Sequence, residues 1–218
     1  MREFDAFPIY PPAKRVANRT VHNRIAASDR GREFYHGERS NGFGGMKNDG
    51  RWAAVAENLI SIYGLNKDSS VLETHCNFGY LLEEFHKRGI SVRGTEVSPY
   101  AIAHIAPEIQ PFVKNVPFHV MPFGDHEFDL VLSVATVYAV ALPEAMQMLR
   151  EIERVGKGKS FITLSAAETP EELALIRKWS ILGTLCFSKA EWITVLNHCG
   201  FTGDYKWDTV QSLGLVEG

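Results

Sequence analysis

The stretch Ser69–Phe85, SSVLETHCNFGYLLEEF, decides how the chain is read. An apolar run, Val71 and Leu72, ends in the acid Glu73. A short loop follows, and then the amphipathic segment GYLLEEFHKRG predicts a helix closed by Gly89. Strand, loop and helix in this order form the unit on which α/β proteins cradle nucleotides. Cradles for a pyrophosphate need GxGxxG, so that the phosphates can approach the backbone and a helix N-terminus. Here the comparable run is HCNFGY. His75 and Asn77 stand where two glycines are expected, and only Gly79 is kept.

Outward from this unit the chain alternates. RWAAVAENLISIYGL carries a helical apolar stripe ending near Gly64. SVRGTEV reads as a second strand, and SPYAIAHIA as a helix with Ser98 as N-cap and Pro99 in its first turn. VPFHVM reads as a weak third strand. FDLVLSVAT is apolar on both faces apart from Ser133, as a central parallel strand requires. PEAMQMLREIERVG predicts a helix and SFITLSA a strand. TPEELALIRKWSIL and SKAEWITVLNHCG predict two capped helices, and DYKWDTVQ a final strand. The alternation predicts an α/β fold with a mostly parallel, Rossmann-like sheet flanked by helices. Ligands are then expected beyond the carboxyl ends of the strands, in the loops after Glu73, Glu96, Ser133 and Ser165. The first fifty residues differ. YPP, many Arg and Asn, and NGFGGMKNDG predict an irregular arm with one short helix around Val21–Asp29. Its aromatics Phe34, Tyr35 and Phe43 predict docking. The expected organisation is an arm or lid over residues 1–50 and one domain over 51–218.

With 218 residues, 45% of them hydrophobic and 22% charged, the chain suits one substantial core. A net charge of −3 suggests no general attraction to nucleic acid. No apolar run is long enough to span a membrane, and the opening MREFDAFPIYPPAKR lacks a signal peptide's apolar middle. Three scattered cysteines, Cys76, Cys186 and Cys199, suit neither a disulfide framework nor a zinc site, so no metal is expected. A reduced cytoplasmic setting fits these features.

Glu96 ends the second strand about twenty residues after the first loop, where an acid accepts hydrogen bonds from ribose hydroxyls. Dinucleotide dehydrogenases and S-adenosyl-L-methionine (SAM) methyltransferases share that spacing. SAM has no phosphate, so a loop with a single glycine suits it better. The motifs carry a more specific resemblance. VLETHCNFGYLLEEF resembles the first motif of class I SAM-dependent methyltransferases, VLDxGCGxGxLL, and GTEVSPYAI resembles the second. MPFGDHEFDLVLSVATVYAV is similar to their LPF…FDLV segment, and LREIERVGKGKSFITL to the helix and strand after it. GGMKNDGRW and EWITVLNHCGFTGDYKW resemble an uncharacterised bacterial subfamily with GGxKxDGRW and EW…GYTGDY motifs. The resemblance spans about Val21 to Trp207.

The resemblance implies SAM as cofactor. Glu73 matches the acid near its amino group, Gly79 the last motif glycine and Glu96 the ribose-binding acid. His75, Asn77, Val97, Phe123 and Ser133 complete the expected cofactor-binding set, with adenine held by backbone near Phe118–Met121 or stacked on Phe123. An acid or amide that often meets adenine falls near Pro117 and is absent. The subfamily's NTxHN after the fourth strand is also absent, since Ala135, Tyr138 and Val140 take other values. Tyr138, His36 and Asp49 are the candidate catalytic groups. Tyr35, Arg51 and Thr136 are candidates for binding the substrate, Arg51 by a bidentate grip on a carboxylate or phosphate. The expected function is methyl transfer to a small polar molecule such as a sugar or other secondary metabolite, with no nucleic-acid or membrane partner. A homo-oligomer or partner-subunit arrangement stays open. The alternative is a cofactor-poor relative acting as a binding or structural subunit. An NAD-dependent oxidoreductase is disfavoured by the missing GxGxxG.

Overall fold

The computed structural model describes residues 1–7, 14–16 and 19–217. The YPP segment of the arm lies outside them. In chain order the elements begin with strand β1 (Lys14–Val16) and helices α1 (Val21–Ser28), α2 (Arg32–His36) and α3 (Arg51–Tyr63). Next come β2 (Ser70–Glu73), α4 (Tyr80–Lys87), β3 (Ser91–Glu96), α5 (Pro99–Ile102), β4 (Val113–Asn115) and β5 (Leu130–Ser133). The remainder is α6 (Leu142–Val155), β6 (Ser160–Ser165), α7 (Pro170–Trp179), α8 (Lys189–Cys199), β7 (Asp204–Asp208), α9 (Val210–Leu213) and β8 (Leu215–Glu217).

The main sheet has six strands in the order β4-β3-β2-β5-β6-β7, all parallel. This is the doubly wound order, and it reverses direction between β2 and β5, where such sheets bind ligands. The central strands are apolar on both faces because helices cover both. One face packs Val55 and Leu59 of α3 with Leu81, Leu82 and Phe85 of α4. The other packs Met148, Leu149 and Ile152 of α6 with Trp192 and Leu196 of α8. No helix among the described residues is long and apolar enough to cross a membrane.

Two sequence expectations are corrected. VPFHVM is not a strand: β4 is Val113–Asn115, just before it. Pro117 has no N–H to give to a ladder, which ends pairing there. The last backbone bond on this side runs from Val116 N–H to Glu96 O, 3.1 Å. The helix expected over SPYAIAHIA is one turn, Pro99–Ile102.

The arm has two parts. Its start adds to the sheet: Phe4 N–H donates to Tyr205 O, Tyr205 N–H donates to Arg2 O, and Ala6 is fully buried. Among the described residues of the arm, the segment from α1 onward lies over the strand ends. There Ala27, Phe34 and Tyr35 are buried against Phe78, Ala101 and Ile181. Burial of one large apolar side chain contributes about 1.5–3 kcal/mol, which favours a docked arm.

Asp204 fastens the first residues to β7. It accepts bonds from Arg2 N (2.8 Å), Arg2 Nη2 (2.6 Å) and Tyr63 OH (3.0 Å). Burial raises its pKa, but the bonds from Arg2 and Tyr63 outweigh burial and hold it below the usual range. Asp204→Asn should cost about 1–3 kcal/mol at neutral pH in denaturant unfolding. A depressed folded pKa stabilises above the unfolded value, near pH 4, and that stability is lost as pH falls through the folded value. The gap between wild type and Asp204→Asn should therefore narrow below pH 4; a constant gap would contradict this role.

Candidate functional site

Glu96 sits at the end of β3 and is 2% exposed. Its Oε2 accepts from Asn77 N (2.9 Å) and its Oε1 from Ser98 N (2.8 Å). One carboxylate thus fixes the loop after β2 and the start of α5, and each oxygen keeps a second lone pair. The loop after β2 holds His75 and Asn77 at φ 52° each. These are glycine-like backbone angles carried by residues with side chains. Asparagine tolerates them; for histidine they cost about 1–2 kcal/mol. Gly79, at φ 70°, is the N-cap of α4 and has the side chains of Ile105 and Ile109 against its Cα. It serves the turn and the packing below it and does not line the crevice.

The crevice above Glu96 is lined by Arg30, Phe34, Phe43, His75, Asn77, Phe118 and residues 134–136, among others. Among the described residues, five non-glycines have positive φ, and Arg30, His75, Asn77 and Ala135 line this one crevice. Strain of this kind gathers where a site dictates the backbone. The arm is fastened here as well: Ser98 Oγ donates to Arg30 O (2.6 Å), and Tyr35 OH to Asn77 Oδ1 (2.9 Å).

The His75 ring crosses the crevice. Its Nε2 lies 3.1 Å from Phe118 O, and the two rings are 4.1 Å apart. A carbonyl only accepts, so Nε2 carries the proton and Nδ1 is an acceptor. Burial pushes the His75 pKa down to about 4, so the ring is neutral at pH 7. Among the described residues Nδ1 is buried with no partner, as are Glu73 Oε2, Thr74 Oγ1 and Ser133 Oγ. All four lie at or just beyond the ends of β2 and β5, at the point of strand reversal. Burial first, and then the charge of Glu96, pushes the Glu73 pKa up to about 8.

The other candidate residues fall into three groups. Thr136 lines the crevice, its hydroxyl bonded to Val134 O (3.0 Å). Tyr138 and Arg51 line a second, adjoining cavity with Arg19, Arg30, Arg39 and Trp179; Arg51 also pairs with Asp49. Tyr35, His36, Asp49, Val97 and Phe123 line neither cavity. Tyr35 is fully buried and packs on Phe78 as the anchor of the arm. His36 faces Tyr100, with Nδ1 2.8 Å from its hydroxyl. Phe123 packs edge-on to Phe128 beneath the Lys114 ammonium. The aromatic ring on the crevice is Phe118 instead, with the Arg30 guanidinium 4.7 Å from its centroid. Arg30 was not singled out from sequence; the only local signal is the Asp-Arg-Gly turn at residues 29–31.

Comparison with known proteins agrees with this geometry. Residues 72–164 match the family described as a methyltransferase domain. Among solved structures, the YcgJ protein of Bacillus subtilis superposes with a TM-score of 0.56 at 15% identity, over 66% of each chain. The match therefore spans a little under two thirds of that protein. A putative methyltransferase of Bacillus halodurans gives 0.55 at 18% identity, over 66% of this chain and 68% of that one. A Haloferax volcanii complex of the Trm112 methyltransferase activator with a putative methyltransferase gives 0.54 at 19% identity, over 84% and 77%. Identities this low establish the fold. No curated protein matches the sequence. The chain has the Rossmann-like class I methyltransferase fold and is methyltransferase-like over residues 72–164, which carry the crevice residues from His75 to Ala139.

The raised Glu73 pKa has a stability consequence. The folded state holds this proton up to about pH 8, whereas the unfolded chain releases it near 4.5. Between those values the folded state binds more protons, so this contribution falls as pH rises. Glu73→Gln should therefore gain on wild type in stability by at least about 1 kcal/mol between pH 5 and 8, one pKa unit's worth. Parallel unfolding curves at the two pH values would contradict the assignment.

Proposed function

We propose that the crevice binds SAM and that the protein transfers its methyl group to a small polar molecule. One observation carries this reading: among the described residues, the partnerless polar atoms of Glu73, Thr74, His75 and Ser133 lie at or just beyond the ends of β2 and β5, at the strand reversal. His75 Nδ1 accepts a hydrogen bond, and so does Glu73 Oε2 once ionised, so a cationic donor is the partner that suits both. The ammonium of a methionine tail is such a donor, and its charge would ionise Glu73. Glu96 has lone pairs left for ribose hydroxyls, and Phe118 offers a ring face for adenine. When bound, SAM supplies a methyl group on a sulfonium, open to in-line displacement. The residues of this chain align it and exclude water.

The lining also bears on the acceptor. His36 and Asp49 face elsewhere. Burial raises the Tyr138 pKa, so its phenol is no base at neutral pH, and His75 is a weak one. A sugar hydroxyl must lose a proton of high pKa and needs a base. An acceptor atom with a free lone pair at neutral pH fits this lining better. The three free cysteines belong with a reducing, cytoplasmic setting.

A second reading has its own observation. The crevice volume is about 90 Å³, with the His75 ring in its wall against Phe118; small-molecule sites usually span about 300–1,000 Å³. On that reading the protein is a cofactor-poor binding subunit. Under the first, His75 swings aside when the cofactor enters.

Thermal shift separates the two, since a ligand of the native state raises its apparent stability. SAM and S-adenosylhomocysteine should raise the melting temperature and NAD should not. No shift with any of them favours the subunit reading. In calorimetry, Glu96→Ala should weaken S-adenosylhomocysteine binding by about 1–3 kcal/mol. His75→Gly relieves the strained φ and opens the crevice, so it should bind at least as tightly as wild type; clearly weaker binding would make His75 a contact instead of a gate.

A further inference from the structure

The cavity adjoining the crevice has a volume of about 520 Å³, well within the range for a ligand site. The two share Arg30, Phe34, Phe43, Ala135 and Ala139, so one opens on the other. Four arginines line it, Arg19, Arg30, Arg39 and Arg51, and among the described residues no carboxylate does. We propose that this cavity is an anion site, which takes a small molecule bearing a carboxylate or phosphate on a flat apolar body. As the acceptor site it rests on the proposed methyl transfer; as an anion site it stands alone.

The charge balance points this way. Arg51 is paired with Asp49 two residues before it, but among the described residues Arg19, Arg30 and Arg39 form no ion pair. Burial, and then the charges of Arg39 and Arg24, pushes the Arg19 pKa down to about 10. Burial lowers that of Arg30 too. Like charges held together and partly dehydrated are unfavourable unless an anion completes the site.

The guanidinium groups are also held in place. Arg19 Nη1 donates to Trp179 O, and Arg39 Nη1 to Gly42 O. The Arg30 guanidinium has no hydrogen-bond partner among the described residues; it rests on the rings of Phe118 and Phe34, 4.7 and 5.8 Å from their centroids. Each guanidinium has five N–H donors, so several stay free for oxygen atoms, in the fork that suits carboxylate and phosphate. Phe34, Phe43 and Trp179 supply apolar wall for the rest of the molecule. Arg30 stands where the cavities meet, so an anion it holds lies next to the crevice.

The test uses the whole chain and three probes of similar size: benzoate, phenyl phosphate and neutral benzamide. In NMR titrations at low salt, at least one anion should bind about tenfold tighter than benzamide, a difference of about 1.4 kcal/mol. Whichever anion is preferred identifies the group. Arg39→Gln should weaken that anion by about tenfold and leave S-adenosylhomocysteine binding unchanged, because Arg39 does not line the crevice. Arg51→Gln, at a side chain already paired with Asp49, should weaken the anion less and is the second variant should Arg39→Gln fold poorly. Equal binding of all three probes, or anion binding indifferent to both substitutions, overturns the proposal. Anion binding without S-adenosylhomocysteine binding would keep the anion site and remove methyl transfer. The reverse pattern would remove the anion site alone.

Discussion

The site depends on the two backbone N–H groups that share the Glu96 carboxylate. Asn77 and Ser98 belong to different loops, and a buried acid between them holds both at fixed distance. Each then passes the constraint on. The Asn77 side chain accepts from Tyr35, and the Ser98 hydroxyl donates to Arg30 O. Thus one carboxylate places the loop after β2, the turn of α5 and two points of the arm. Charge-assisted bonds to backbone N–H groups are among the stronger hydrogen bonds in proteins, which suits an anchor from which so much is hung.

What hangs there is unfavourable on its own. Among the described residues, four with strained backbone and three arginines without ion pairs line two joined cavities, and four buried polar atoms without partners lie at the strand ends beneath them. Each lowers the stability of the folded chain, and the apolar packing on both faces of the sheet offsets them. Local conflict within a consistent fold is the usual sign of function. Here the conflicts differ by place. Under the crevice they call for a hydrogen-bond donor, and in the wider cavity they call for negative charge.

The sheet was legible because its central strands are unbroken apolar runs and its helices carry caps and stripes that need no tertiary context. Glu73 and Glu96 were legible because strand ends are fixed by those runs. Direction of side chains was not. Nothing local says that the His75 ring meets Phe118, forty-three residues on, or that Phe123 turns inward to Phe128 and leaves the crevice to Phe118. Tyr35 was rightly expected to dock, yet its full burial makes it an anchor and takes it out of the expected substrate set. Arg30 escaped notice because its position depends on a left-handed turn and on Ser98, both invisible in a list of residue types.

The way the arm is fastened sets an order of assembly. Arg2 bonds Asp204, 202 residues away, and β1 pairs with β8. Contacts so distant in sequence form late, since a long loop must close first. Ala6 packs on α3, where Asn58 Nδ2 donates to its carbonyl, but the backbone bonds of residues 2–4 have no partner strand until β7 is present. The crevice walls on β2, β3 and β5 can be built long before that. Pairing of residues 2–4 with β7 thus comes late in assembly, whereas the Arg30 wall needs only Ser98, Phe34 and Phe118.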